Sequence, residues 1–185
     1  MNIVVKPYGK NHCYCRPDTT WERENKDFYV PDCVDDLLWA PVVFVRISKA
    51  GKCIGRKFVE RYYDSFNFGA LLYTGDCETA FSSCADHTSL LPLPLYDPVV
   101  MESEANGFVV SVEGETIFST QTEKDIRNIL EESICLASQM TSLRIGDFVA
   151  VELATVAPIA SRKDNAKTFR TEFCENKTYD IKIVF

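Results

Sequence analysis

Val42-Val43-Phe44-Val45-Arg46-Ile47, followed by the turn residues Ala50-Gly51-Lys52, carries the reading of the fold. β-Branched and aromatic residues fill the run, which suits a pleated surface packed against neighbours, and the glycine after it supplies a turn. Three further stretches repeat the pattern: Gly107-Phe108-Val109-Val110-Ser111-Val112, Asp147-Phe148-Val149-Ala150-Val151-Glu152 and Tyr179-Asp180-Ile181-Lys182-Ile183-Val184. Between them lie Glu113-Gly114-Glu115, Arg144-Ile145-Gly146-Asp147 and Glu175-Asn176-Lys177, each offering Gly or Asn where the chain needs a positive φ. Residues 112–117 read as a tight hairpin.

One segment has helical rather than strand periodicity. Ile126, Ile129, Leu130, Ile134 and Ala137 recur at three- and four-residue spacing, the stripe of a helix with one buried face. Thr122-Glu123-Lys124-Asp125 resembles a capping box with Asp in place of Glu, and its acidic residues suit the positive helix start. A second, shorter helix is expected over residues 56–66, where Phe58, Val59, Tyr62, Tyr63 and Phe66 make an apolar face. The cluster Tyr62, Tyr63, Phe66 and Phe68 then reads as a core stripe rather than a pocket lining. Residues 82–98 hold three prolines and two leucine pairs without a clean period and read as loop. Together these elements predict a mostly β or α+β fold, a rolled mixed sheet with one long and one short helix, forming one domain over residues 1–185.

Composition excludes several function classes. A hydrophobic share of 46 % is enough for a core, and a formal net charge of −7 with no basic stripe argues against nucleic acid as a partner. No window approaches a membrane span, and Met1-Asn2-Ile3-Val4-Val5 lacks the basic start of a secretion signal, so a cytoplasmic protein is expected. Without a signal the eight cysteines read as reduced, small buried hydrophobes. Cys13-x-Cys15 and the Cys77/Cys84 pair lack the paired CxxC spacing of a zinc site, which leaves a cysteine-based metal or redox role as the weakest of three functional readings.

In chain order, several blocks carry a family resemblance. They are Phe28-Tyr29-Val30-Pro31-Asp32 with Asp35-Asp36, then Val45-Arg46-Ile47-Ser48-Lys49-Ala50-Gly51-Lys52, then Arg61-Tyr62-Tyr63-Asp64 up to Gly69, then Gly114-Glu115-Thr116, and finally Ser138-Gln139-Met140-Thr141-Ser142-Leu143-Arg144-Ile145-Gly146-Asp147. The sequence resembles the fumarylacetoacetate hydrolase family, in particular its short bacterial members that act on acylpyruvates or oxo-dienedioates. The resemblance covers most of the chain from about Phe28 onward, so residues 1–27 read as an N-terminal segment shortened relative to the family. It implies a rolled β architecture and a homodimer.

The resemblance also implies where a catalytic metal, usually Mg²⁺, would sit. The family holds it with E-x-E on one strand and an Asp on a later one, because alternate strand residues share a face and a hard cation needs oxygen donors. Alignment on Val45–Ser48 puts Ala40 and Val42 at the two Glu positions, and the later block, Gly69-Ala70-Leu71-Leu72-Tyr73-Thr74-Gly75-Asp76, puts Leu71 at the Asp position and Gly75 at that of an Arg. The His-bearing N-terminal loop is missing or compressed around His12. The lid is short, over residues 77–85, and holds no Lys. No metal is expected; Mg²⁺ would return only if Ala40, Val42 and Leu71 did not mark these positions.

Two functional expectations follow. The leading one is a non-catalytic or diverged member acting as a binding or assembly partner, alone as a homodimer or alongside an active relative. The alternative is a C–C hydrolase, decarboxylase or isomerase of keto acids with a relocated, metal-free site, for which Asp76, His87 and Glu152 are the residual candidates. Asp86-His87-Thr88-Ser89 puts His, Asp and hydroxyls together, but triad members meet by folding rather than by adjacency, so the stretch reads as a surface turn. His12 reads the same way.

Overall fold

The structure is a computed structural model that describes residues 1–75, 79–102, 106–122 and 124–185. Its strands in chain order are β1 (Asn2–Lys6), β2 (Tyr14–Pro17), β3 (Trp21–Glu22), β4 (Phe28–Tyr29), β5 (Asp36–Ile47), β6 (Tyr63–Thr74), β7 (Ser89–Leu90), β8 (Gly107–Val112), β9 (Glu115–Gln121), β10 (Phe148–Glu152), β11 (Ala157–Ser161), β12 (Ala166–Phe173) and β13 (Asn176–Val184). Among the described residues they build two mixed sheets. One runs β2-β1-β10-β5-β6-β7-β3 with β11 also on β5, and the other runs β4-β13-β12-β8-β9. The β1–β10, β3–β7 and β4–β13 pairs are parallel.

The long strands β5 and β6 form the spine, paired antiparallel from Leu37↔Thr74 to Ile47↔Tyr63. Both are buried on both faces, and alternate residues therefore feed two different apolar clusters. Trp39, Val43, Val45, Phe66, Phe68 and Leu72 face the larger one, where they meet the second sheet. There Phe68 stacks on Phe108 of β8 with ring centroids 5.0 Å apart, and Phe173 of β12 meets Phe66 edge-on at 5.9 Å. Each such buried phenylalanine contributes roughly 1.5–3 kcal/mol by leaving water. Ala40, Val42, Phe44, Leu71 and Tyr73 face the smaller cluster.

Turn chemistry explains the hairpins. Glu113 and Gly114, with φ of 51° and 83°, join β8 to β9 as a two-residue loop in which both central residues are left-handed, the geometry that matches strand twist. A second such loop lies at Cys174-Glu175, φ 52° and 61°, between β12 and β13. This shifts the expected turn: Asn176 opens β13, and the left-handed positions fall on the two residues before it.

Helix α1 is a short element at Thr79–Ser82, and α2 spans Lys124–Met140. Ile126, Leu130, Ile134 and Ala137 of α2 are all buried, as their spacing predicts. The capping box cannot be placed, because Glu123 lies outside the described residues. The expected helix over 56–66 is corrected. Residues Arg56–Arg61 make a 3-10 turn without a side-chain cap, and β6 begins at Tyr63. Ser65-Phe66-Asn67-Phe68 has period two as readily as a helical period, and pairing with β5 on one edge and the Phe66–Tyr96 bridge on the other gives its backbone partners that a short uncapped helix would lack.

The cysteines are a second correction. Cys15, Cys33, Cys53 and Cys84 are exposed, and Cys13, Cys135 and Cys174 are half-buried free thiols; Cys77 lies outside the described residues. Cys53 occupies a left-handed turn position, which draws it to the surface. Among the described residues no helix is long and apolar enough to cross a membrane.

Candidate functional site

The positions at which the resemblance places a metal lie on one face of β5 and β6. Ala40 stands directly opposite Leu71 and Val42 opposite Gly69. Ile3 and Val5 of β1, Phe148 and Ala150 of β10 and Leu91 complete the cluster around them. Ala40, Val42 and Leu71 each have 0 % exposure. Gly69 is needed here because a Cβ on it would run into the Leu90 carbonyl of β7. Three side chains without an oxygen do not fit Mg²⁺ or Mn²⁺, which are held by carboxylates, carbonyls and water.

Beside this apolar floor the same face turns polar. Alternation along β2 puts Tyr14 and Arg16 on one side, opposite Val5 and Ile3 of β1. The Tyr73 hydroxyl on β6 donates a very short hydrogen bond to Glu152 Oε1 at the end of β10, and the Tyr14 hydroxyl lies 2.7 Å from that of Tyr73. The second Glu152 oxygen accepts the Tyr8 backbone N–H at 2.9 Å. Burial pushes the Tyr73 phenol far above its ordinary range, with the charges of Tyr14 and Glu152 acting the same way. Burial likewise pushes the Tyr14 phenol up.

Arg16 is wholly buried, with its guanidinium 5.1 Å from the Tyr73 ring centroid. Its Nη2 donates to the Leu72 carbonyl and to Thr88 Oγ1, both at 2.8 Å, and its Nε donates to the Ser83 carbonyl at 3.2 Å. Burial lowers its proton affinity, and the neighbouring Tyr73, Tyr14 and Glu152 oppose that. Chemically the arrangement is a hydrogen-bonded chain, Tyr14–Tyr73–Glu152, beside a buried cation. A carboxylate and two phenols bond to one another, while the guanidinium lies over the Tyr73 ring, bonds to Leu72, Thr88 and Ser83 and so ties β2 to the segment that follows α1, and leaves its buried Nη1 without a partner among the described residues.

The sequence candidates do not converge. Asp76 lies outside the described residues. Glu152 belongs to the tyrosine network, whereas His87 sits in a turn at φ 58°, its Nδ1 2.8 Å from Glu22 Oε2. His87 and Glu22 line a cavity of about 760 Å³ that does not include Glu152. The Asp86-His87-Thr88-Ser89 reading needs splitting. Asp86 and His87 are exposed, whereas Thr88 and Ser89 are wholly buried and their hydroxyls go to Arg16 and to Thr20 Oγ1. His12 is exposed. Asp147 of the Gly146-Asp147 pair is structural, its carboxylate accepting the Asn2 and Arg144 backbone N–H groups at 2.8 Å each.

Arg16, Tyr14, Tyr73 and Glu22 went unnoticed in the sequence. Tyr14-Cys15-Arg16 carried one usable signal, a two-residue period that aims both polar side chains at the same surface.

No family model matches the sequence, and no curated protein matches it either. Solved structures do match. A Yersinia pestis CO92 protein described as a fumarylacetoacetate hydrolase family member superposes with TM-score 0.80 at 14 % identity, covering 99 % of this chain and 92 % of that one. Fumarylpyruvate hydrolase from Pseudomonas aeruginosa, solved with Mn²⁺ and pyruvate, gives TM-score 0.78 at 13 % identity over 100 % of this chain and 88 % of that one. The 2-hydroxyhepta-2,4-diene-1,7-dioate isomerase from Mycobacterium marinum gives 0.78 at 13 % over 99 % and 73 %. Likeness at such low identity speaks for architecture alone, and by that measure this chain has the fumarylacetoacetate hydrolase fold.

Proposed function

We propose that this protein has the fumarylacetoacetate hydrolase fold without the metal-dependent chemistry, and that it works as a binding or assembly partner, as a homodimer or beside an active relative. The observation that carries the reading is the full burial of Ala40, Val42 and Leu71 in one apolar cluster. The fold supports such chemistry elsewhere, since the Pseudomonas aeruginosa hydrolase was solved with Mn²⁺ and pyruvate. That chemistry needs anionic oxygens facing the ion, and here methyl groups face one another. Three carboxylates without a cation would repel and stay desolvated, so loss of the ion favours replacing all three.

A keto-acid hydrolase, decarboxylase or isomerase with a relocated site has one observation in its favour, the His87–Glu22 pair at the edge of a cavity. Against it, Glu152 is committed to Tyr73 and Tyr8.

Calorimetric titration with Mg²⁺ and Mn²⁺, followed by an acylpyruvate hydrolysis assay, tests both readings. Neither heat of binding nor turnover is expected. Metal-dependent turnover overturns the proposal, and metal-independent turnover lost in His87→Ala would replace it with the relocated site. Light scattering on the eluting protein tests the dimer.

A further inference from the structure

The cavity beside His87 lies on the other side of the sheet from the apolar floor. Leu71 and Tyr73 of β6 face the small cluster, whereas Leu72 and Thr74 point the opposite way, and Thr74 lines the cavity together with Phe28 and Val34 of the larger cluster. Its binding properties are therefore independent of what the Ala40, Val42 and Leu71 positions hold. At about 760 Å³ its size matches sites for small molecules.

Its walls are apolar and aromatic. Phe28 and Val34 are buried behind it, while Phe81 stands at its edge, 72 % exposed. The charged groups around it are mostly anionic. Among the described residues Glu22, Asp27 and Asp86 contribute three carboxylates against one ammonium, Lys26, which is paired with Glu24; Glu22 also holds His87 and the Glu24 N–H, and Asp27 the Lys182 N–H. His87 Nδ1 faces Glu22 at 2.8 Å. Thr74, only 6 % exposed, carries a buried hydroxyl without a partner among the described residues. The carboxylates favour a ligand head that donates hydrogen bonds, and above all a positively charged one, on an apolar body.

We propose that this cavity binds a small protonated amine carried on an aromatic or branched-alkyl body. The body packs on Phe28, Val34 and Phe81, and the ammonium group faces the carboxylate rim, where an aromatic wall adds cation–π attraction. A carboxylate ligand, such as a keto acid, meets like charge at the same rim.

A charge series on one ring system tests this: 2-naphthylmethylamine, 2-naphthalenemethanol and 2-naphthoate, titrated by fluorescence against the intact chain at neutral pH and low salt. The amine should bind about tenfold more tightly than the alcohol, the sum of a cation–π contact and a partly screened ion pair, and the naphthoate least of all. Asp86→Asn, at an exposed position, should weaken the amine and leave the alcohol unchanged, whereas Phe81→Ala should weaken both. Val34→Trp should abolish binding by filling the cavity, with circular dichroism confirming the fold. Equal affinity for all three probes, tighter binding of the naphthoate, no binding at all, or indifference to both Asp86→Asn and Phe81→Ala overturns the assignment.

Discussion

Ala40 on β5 pairs directly with Leu71 on β6, and neither has any exposed surface. A core position and a vacated ligand position respond differently to substitution. Leu71→Ala should cost about 2–5 kcal/mol, the transfer and cavity terms of a packed leucine. Leu71→Asp should cost more than Leu71→Ala, because an unpaired carboxylate would be buried among Ala40, Val42 and Phe44. Urea unfolding gives both values. If Leu71→Asp is nearly neutral and Mg²⁺ then stabilises it, the position is a ligand seat rather than core.

The Tyr73–Glu152 contact should behave as one unit. Tyr73→Phe removes the donor to Glu152 Oε1, which stays buried, and the partner of the half-buried Tyr14 hydroxyl. A cost of about 1–3 kcal/mol is expected. Glu152→Gln removes the charge and keeps the shape. In a double-mutant cycle the pair should show a coupling of about 0.5–3 kcal/mol, and strictly additive losses would mean that the two side chains act separately.

The strands were legible because β-branched runs bounded by glycine leave few alternatives, and α2 because Ile126, Leu130, Ile134 and Ala137 repeat at only one helical period. Residues 56–66 were not legible. Their aromatic residues fit a period of two as well as a helical one, and only the partner strand β5 decides between them. The apolar floor could be anticipated residue by residue, since Ala40, Val42 and Leu71 declare their chemistry in their own side chains. The polar groups could not. Glu22 sits in Trp21-Glu22-Arg23-Glu24, which looks like a solvated face, and the histidine that partners it is 65 residues away. Arg16 reads as a surface charge until folding brings Leu72, Ser83 and Thr88 around it.

Arg16 should act as the pin of the segment that follows β6. Its three hydrogen bonds reach Leu72, Ser83 and Thr88, so Arg16→Met keeps the length of the side chain and releases all three. Hydrogen exchange should speed up over residues 79–91 while α2 and β12 stay protected, a local opening rather than global unfolding. Uniform acceleration through the whole chain would assign Arg16 to general stability instead.

Alkaline unfolding should be driven by buried phenols. Burial is the leading cause that raises Tyr14, Tyr63, Tyr73 and Tyr179, and nearby charges reinforce it: Glu131 beside Tyr63, Tyr14 and Glu152 beside Tyr73, and Glu22 beside Tyr179. An unfolded tyrosine ionises near its ordinary value of 10.0, while these four hold their protons beyond it. Above that value the unfolded chain binds fewer protons than the folded one, so stability is fully present below pH 10 and falls as pH climbs from there toward the raised folded values. Phenolate absorbance followed together with near-ultraviolet circular dichroism should therefore show Tyr14, Tyr63, Tyr73 and Tyr179 ionising only as the dichroism collapses. A single smooth titration of all eight tyrosines near pH 10, with the dichroism unchanged, would mean that Tyr14 and Tyr73 face water and that the hydrogen-bonded chain to Glu152 does not exist in solution.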